Sequence, residues 1–216
     1  MIYFDIETIP CDDQDLIDVL SDSIKPPKSI KKKESLDKWY LESFKPELDR
    51  AVSKTSLDGL YGRVACIAWA HDDGEIRATE DDSDELENIN YFYDWLDLIN
   101  DHQGIFCGHN LHGFDLQFLK HRSIVHGLKP PEALWKAMNS KPWDGCVADT
   151  MLMWSSEKNK MVSMRTLCKV LGIDYEDDMD GSMVAETWLK DPQKVIDYCK
   201  DDVERTRQIY KRLTFS

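Results

Sequence analysis

Long apolar runs are missing from this chain. The longest, Val64 to Ala70, is far short of the roughly 18 residues a membrane span requires, so no helical span is expected. The first residues lack a basic stretch ahead of an apolar one, so a soluble, non-exported protein is expected. Six cysteines, at positions 11, 66, 107, 146, 168 and 199, form no C-x-x-C pair, which argues against both a zinc ribbon and a disulfide framework. A reducing cytoplasm fits that pattern, with Cys66 and Cys107 reading as small core residues of apolar strands. Positive charge is also scarce. The formal net charge is −14, which counts against a tight nonspecific nucleic-acid-binding module, because phosphate neutralisation dominates such affinity. Internal repeats and low-complexity tracts are absent as well.

What remains is 216 residues with 42% hydrophobic content, enough for one domain, residues 1–216, around a sizeable core. Its first strand, Met1 to Glu7, carries the acids of the string Asp5-Ile6-Glu7-Thr8, and acids one residue apart on a strand point to the same face. A buried strand accepts two such acids only if charge compensates them, and a divalent cation would compensate both. For the pair alone, a frayed and solvated strand end is the better reading. At His109-Asn110-Leu111-His112-Gly113-Phe114-Asp115, a strand over Gly104 to Cys107 runs into a helix over Phe114 to Val125, leaving Asp115 in the first turn. On the last helix, Tyr198 and Asp202 stand four apart and so project from one face.

The ordered set Asp-x-Glu, Asn-x-x-x-Phe-Asp and Tyr-x-x-x-Asp resembles the three motifs of the DEDD 3′-5′ exonuclease superfamily. The likeness is greatest to the exonuclease-domain group related to B-family DNA polymerase proofreading, which includes small free-standing phage and bacterial proteins. Strings at Gly62 to Ile67, Phe114 to Leu119, Leu171 to Ile173 and Asp180 to Ser182 extend it, while residues 11 to 60 match loosely. The resemblance implies a ribonuclease H-like α/β fold, a mixed central sheet flanked by helices. It further implies catalysis by Asp5, Glu7, Asp115, Tyr198 and Asp202, with the four acids holding two Mg²⁺ or Mn²⁺ ions. Position 197, five before the last acid, is Asp rather than His, which indicates the tyrosine subclass. Thr8, Ile9, Asn110 and Phe114 are the implied substrate contacts, with Ile9 against the terminal base. The implied substrate is DNA with a free 3′ end, single-stranded by preference. RNA, as in tyrosine-type relatives resembling ribonuclease D, and a noncatalytic nucleic-acid-binding module stay open as alternatives.

Each residue also has a plainer role to set beside this one. Tyr198 could pack beside the apolar side of its helix, and Asp115 could answer the helix dipole. Asp149 and Asp201 read as structural or solvated. His109 and His112 lack a third soft ligand nearby, which speaks against zinc.

Residues 11 to 60 read as a polar insertion with one helix, Ser35 to Phe44, and a basic cluster of Lys25, Lys28, Lys31, Lys32 and Lys33. That cluster is either a solvated loop or an arm that contacts phosphates. Val64 to Ala70 and Glu75 to Thr79 read as a hairpin around Asp72-Asp73-Gly74. Ser83 reads as the cap of a helix carrying Leu86, Ile89, Tyr93 and Leu96. A short strand is expected near Val147. A helix capped by Ser163 stops at Gly172, and the last helix starts at Asp191-Pro192 with Val195, Ile196, Cys199, Val203, Thr206 and Tyr210 on its buried side.

Overall fold

A computed structural model describes residues 1–79, 84–99, 104–155, 161–176 and 178–216. In chain order the elements are β1 (Ile2–Ile9), α1 (Gln14–Ser23), α2 (Lys33–Glu42), α3 (Phe44–Lys54), β2 (Arg63–His71), β3 (Arg77–Ala78), α4 (Glu85–Ile99), β4 (Phe106–Gly108), α5 (Asp115–His126), α6 (Glu132–Met138), β5 (Val147–Asp149), α7 (Thr150–Trp154), α8 (Met164–Leu171), α9 (Val184–Trp188) and α10 (Pro192–Thr214). The five strands form one sheet in the order β3-β2-β1-β4-β5. β1 is antiparallel to β2 and parallel to β4, and β4 is parallel to β5. This is the mixed, helix-flanked sheet expected, with β1 at its centre.

The period of β1 sorts its side chains between two cores. Ile2, Phe4 and Ile6 join Trp69 of β2, Phe92 and Leu96 of α4, and Leu116 and Leu119 of α5. Tyr3 and Ile9 face the other way, onto Val195, Ile196, Cys199 and Val203 of α10. Full burial of such aliphatic side chains stabilises by about 1.5–3 kcal/mol each, which is why a helix with so many charges still seats on the sheet. On that face β2 offers only Ala65, Cys66, Ala68 and Ala70. Their small side chains leave α10 close to the backbone of the sheet. Asp5 and Glu7 lie on the same side of β1, and so beneath α10.

Local signals set the ends of the later helices. Ser163 accepts from Thr166 N, and Gly172 closes α8 in the left-handed conformation at φ 68°. Asp191 accepts from Lys194 N ahead of Pro192 in the first turn of α10.

The polar insertion departs from expectation, with three α-helices and a short 3-10 helix, Thr55–Leu57, rather than one helix. None of α1, α2 or α3 has a fully buried residue, so the apolar period that reveals a helix is weak in all three. β1 runs two residues past Glu7, and the partner strand after the hairpin turn is only Arg77–Ala78. In α4, Ile89, Tyr93 and Leu96 are core residues, but Leu86 is exposed, as its first-turn place over a polar cleft allows. Ser83 lies outside the described residues. Asp84 and Glu87 exchange the reciprocal hydrogen bonds of a capping box there, at 2.9 and 3.3 Å.

Candidate active site

Asp5 and Glu7 project from β1 toward α10, which lowers Asp202 onto them. Carboxylate oxygens of these three lie within 4.8 Å of one another. Tyr198 stands one helical turn before Asp202, half-buried against the same cluster. Arg205, one turn further on, donates to Asp202 at 2.7 Å, and its guanidinium lies 4.2 Å from the centre of the Tyr175 ring.

Asp115 reaches the site from the other side of β1. β4 ends at Gly108, and its ladder with β1 covers only Ile2 and Tyr3, so the Ile6 amide is left to donate to Asp115 Oδ1 at 3.3 Å. The loop between β4 and α5 is bent to allow this. Asn110 adopts φ 71°, a region Asn tolerates better than most residues. A Cβ at Gly113 would come within 2.3 Å of the Asn110 side-chain oxygen, so a larger residue there would have to displace the Asn110 amide. Asp149, at the end of β5, secures the loop by accepting from the amides of Asn110 and His112 at 3.0 Å each, and it also caps α7.

The acids perturb one another. Burial, then Asp115, Glu7 and Asp202, hold the Asp5 carboxyl well above the usual carboxylate range. Burial pushes Asp115 up to about 8 against the pull of its backbone hydrogen bonds. Burial, with Asp202 and Glu7 next, also raises the Tyr198 phenol, so its hydroxyl keeps its proton. Such crowding is what a divalent cation relieves. The donors are all carboxylate oxygens, a set that suits hard cations rather than a thiolate- or imidazole-bound zinc. Among the described residues this is the one cluster of three or more His, Cys, Asp or Glu side chains close enough to share an ion.

Residues 57–216 match a family described as predicted 3′-5′ exonucleases related to the exonuclease domain of PolB. The chain belongs to that family. Its matched span starts after β1, so Asp5 and Glu7 lie outside it and meet Asp202, which lies inside it, through the fold. An uncharacterized protein of Methanocaldococcus jannaschii is 30% identical over 175 residues, covering 75% of this chain and 92% of its own. The family B DNA polymerase of the hyperthermophilic archaeon Pyrobaculum calidifontis superposes with a TM-score of 0.62 at 17% identity, over 99% of this chain. The chain spans about a quarter of that polymerase's length, 24%. This likeness is one of fold, and the fold of the exonuclease domain is ribonuclease H-like.

The fold therefore gathers all five residues read from the motifs around one end of β1. The four expected substrate contacts are placed unequally. Thr8 donates to the Ser56 carbonyl at 2.6 Å, and Ile9 is 8% exposed within the α10-side core. Neither presents an exposed side chain. Asn110 and Phe114 keep partial exposure, with the Phe114 ring 5.5 Å from that of Phe118. His109 bonds Thr150 Oγ1 and the Val162 carbonyl at 2.9 Å each, a structural role. Asp197 is exposed and bonded to Gln193, and Asp201 is exposed with Arg205 at 3.8 Å. Cys199, Arg205 and Tyr175 belong to the site without belonging to any of its motifs. The spacing of Asp202 and Arg205, three apart on a helix, is a local signal for one of them. Nothing local announces the other two.

Proposed function

We propose that this protein is a metal-dependent 3′-5′ exonuclease that removes nucleoside monophosphates from DNA, preferring single strands. The observation that carries this reading is the convergence of Asp5, Glu7 and Asp202 within 4.8 Å, with Asp115 and Tyr198 beside them. Asp5, Glu7 and Asp202 would hold one Mg²⁺ or Mn²⁺ ion, and Asp5 with Asp115 a second. Bound there, the ions would supply the positive charge needed at the attacking and leaving oxygens of an in-line phosphodiester displacement. Asp115 is held for this by the Ile6 amide. Tyr198 keeps its proton, so it orients the attacking water by hydrogen bonding rather than acting as a base. Asn110 and Phe114 have side-chain surface to offer the last nucleotides, and aromatic contact tolerates any base. Thr8 and Ile9 would act through the shape of the strand end they pack into.

The test is a 5′-labelled strand of DNA and one of RNA, each incubated with Mg²⁺, Mn²⁺ or EDTA. A metal-dependent ladder of shortening DNA is expected. Immediate release of a labelled mononucleotide would indicate attack from the 5′ end. Faster shortening of RNA would make it an exoribonuclease, and binding without shortening would make it a noncatalytic module.

A further inference from the structure

We propose that Cys199 is a positioning residue for Asp5, its thiol holding the carboxylate in the orientation in which Asp5 can share a cation with Glu7 and Asp202. The inference rests on the metal-site reading above. Cys199 Sγ lies 3.4 Å from Asp5 Oδ2 and 3.4 Å from the Asp5 main-chain oxygen. It thus touches both ends of the residue whose side-chain direction matters. The side chain is fully buried, at 0% exposure, so water does not compete for the contact.

A thiol carries a single proton, and the charged carboxylate is a better acceptor for it than the neutral carbonyl. Cys199 touches Asp5 but is not a member of the cluster whose ligand atoms lie within 4.8 Å of one another, so its sulfur does not share that spacing with all three acids. The choice of donor has a consequence. Arg205 brings a full charge to Asp202, whereas a thiol orients Asp5 and leaves its negative charge for a cation. The contact also depends on β2. Cys66 stands opposite Glu7 and Ala68 opposite Asp5 in the ladder, and these small side chains let α10 approach closely enough for sulfur to reach β1. Cys66 and Cys199 share the same buried cluster between β2 and α10.

Cys199→Ala, Cys199→Val and Cys199→Ser separate positioning from packing. Mn²⁺ binding is read from loss of the free-ion electron paramagnetic resonance signal. Melting in EDTA and the Mn²⁺ dependence of degradation complete the set. Ala and Val should weaken Mn²⁺ binding about tenfold, the lower end for groups that orient metal ligands. Ser, which keeps a donor, should restore most of it, and kcat at saturating Mn²⁺ should fall less than the affinity does. If Val does not fold, Ala decides. Unchanged Mn²⁺ affinity in Ala would overturn the proposal, as would a loss that follows melting temperature across all three variants. A parent protein binding Mn²⁺ no better than Asp5→Asn would overturn the metal-site reading itself, and this inference with it.

Discussion

Glu85 and Asp202 are each 7% exposed, yet they sit in opposite electrostatic settings. Glu85 accepts from Arg122 at 2.8 and 2.7 Å, from His126 at 2.6 Å and from the Val64 amide at 2.7 Å. Those bonds tie α4 to α5 and β2. Burial alone would raise the Glu85 carboxyl, but the bonds from Arg122, His126 and Val64 hold it below the usual range. Asp202 has Arg205 at hand, but it also faces Asp5 and Glu7, and the neighbouring acids raise Asp5 further. Burial therefore does not mark a functional acid. What distinguishes the site is carboxylates packed against one another, partly buried at Asp5 and Glu7 and buried at Asp202, where the fold has gathered charge that a bound ion would stabilise.

The largest effect should come from Asp5→Asn. Single-turnover degradation should fall about a thousandfold or more, the upper scale for losing electrostatic stabilisation of a transition state. In EDTA the same variant should melt higher than the parent, because one of the mutually repelling carboxylates is gone. A lower melting point would mean that the acids support the fold as Glu85 does, and the contrast would collapse.

Glu85→Gln should do the reverse. Leaving Arg122 buried without its carboxylate should cost about 3 kcal/mol of stability, roughly 6 to 12 °C in a chain of this size, with turnover per folded molecule unchanged. The pH dependence follows from the sign of the shift. A carboxyl depressed in the folded state contributes stability that is present above its unfolded pKa and lost as pH falls through the lower folded one. Parent stability, measured by urea titration, should therefore decline below about pH 4.3, the ordinary glutamate value. Glu85→Gln should flatten that decline.

Tyr198→Phe sharpens the comparison from within the site, since it removes a hydroxyl and no charge. Turnover should fall about ten- to a hundredfold, below the upper range of true proton transfer, while Mn²⁺ binding holds. Unchanged turnover would return Tyr198 to a packing role.

The smallest effect concerns cations rather than acids. Arg122 is engaged by Glu85, whereas Lys31, Lys32 and Lys33 are exposed and have no ion-pair partner among the described residues. If they neutralise phosphates, replacing all three with Ser should reduce the salt slope of binding to a long oligonucleotide by about one unit for each phosphate no longer neutralised. Equal slopes would leave the segment a solvated loop.

The five residues of the proposed site are legible in the sequence because they form short motifs on regular elements. Asp5 and Glu7 share a strand face, Tyr198 and Asp202 share a helix face, and Asp115 opens a helix. The ends of α8 and α10 are legible for a similar reason, since Ser163, Gly172, Asp191 and Pro192 act on their own neighbours. The insertion is legible only in part, since α2 overlaps the expected Ser35 to Phe44 helix while α1 and α3 were not expected. Its α-helices bury no residue fully, and the local signal it does carry is slight: Asp13 caps α1 by accepting from the Asp15 and Leu16 amides.

The sequence by itself determined which acids could serve, the elements that carry them and the two-faced pattern of β1, because these follow from backbone period and near neighbours. Only the tertiary structure decided which acids meet a cation and which meet each other. Glu85 met Arg122, 37 residues away, and Asp5 met Cys199, 194 residues away. Such contacts depend on how closely one layer packs on another. Here the Ala and Cys side chains of β2 set that distance, and no local pattern around Asp5 or Cys199 encodes it.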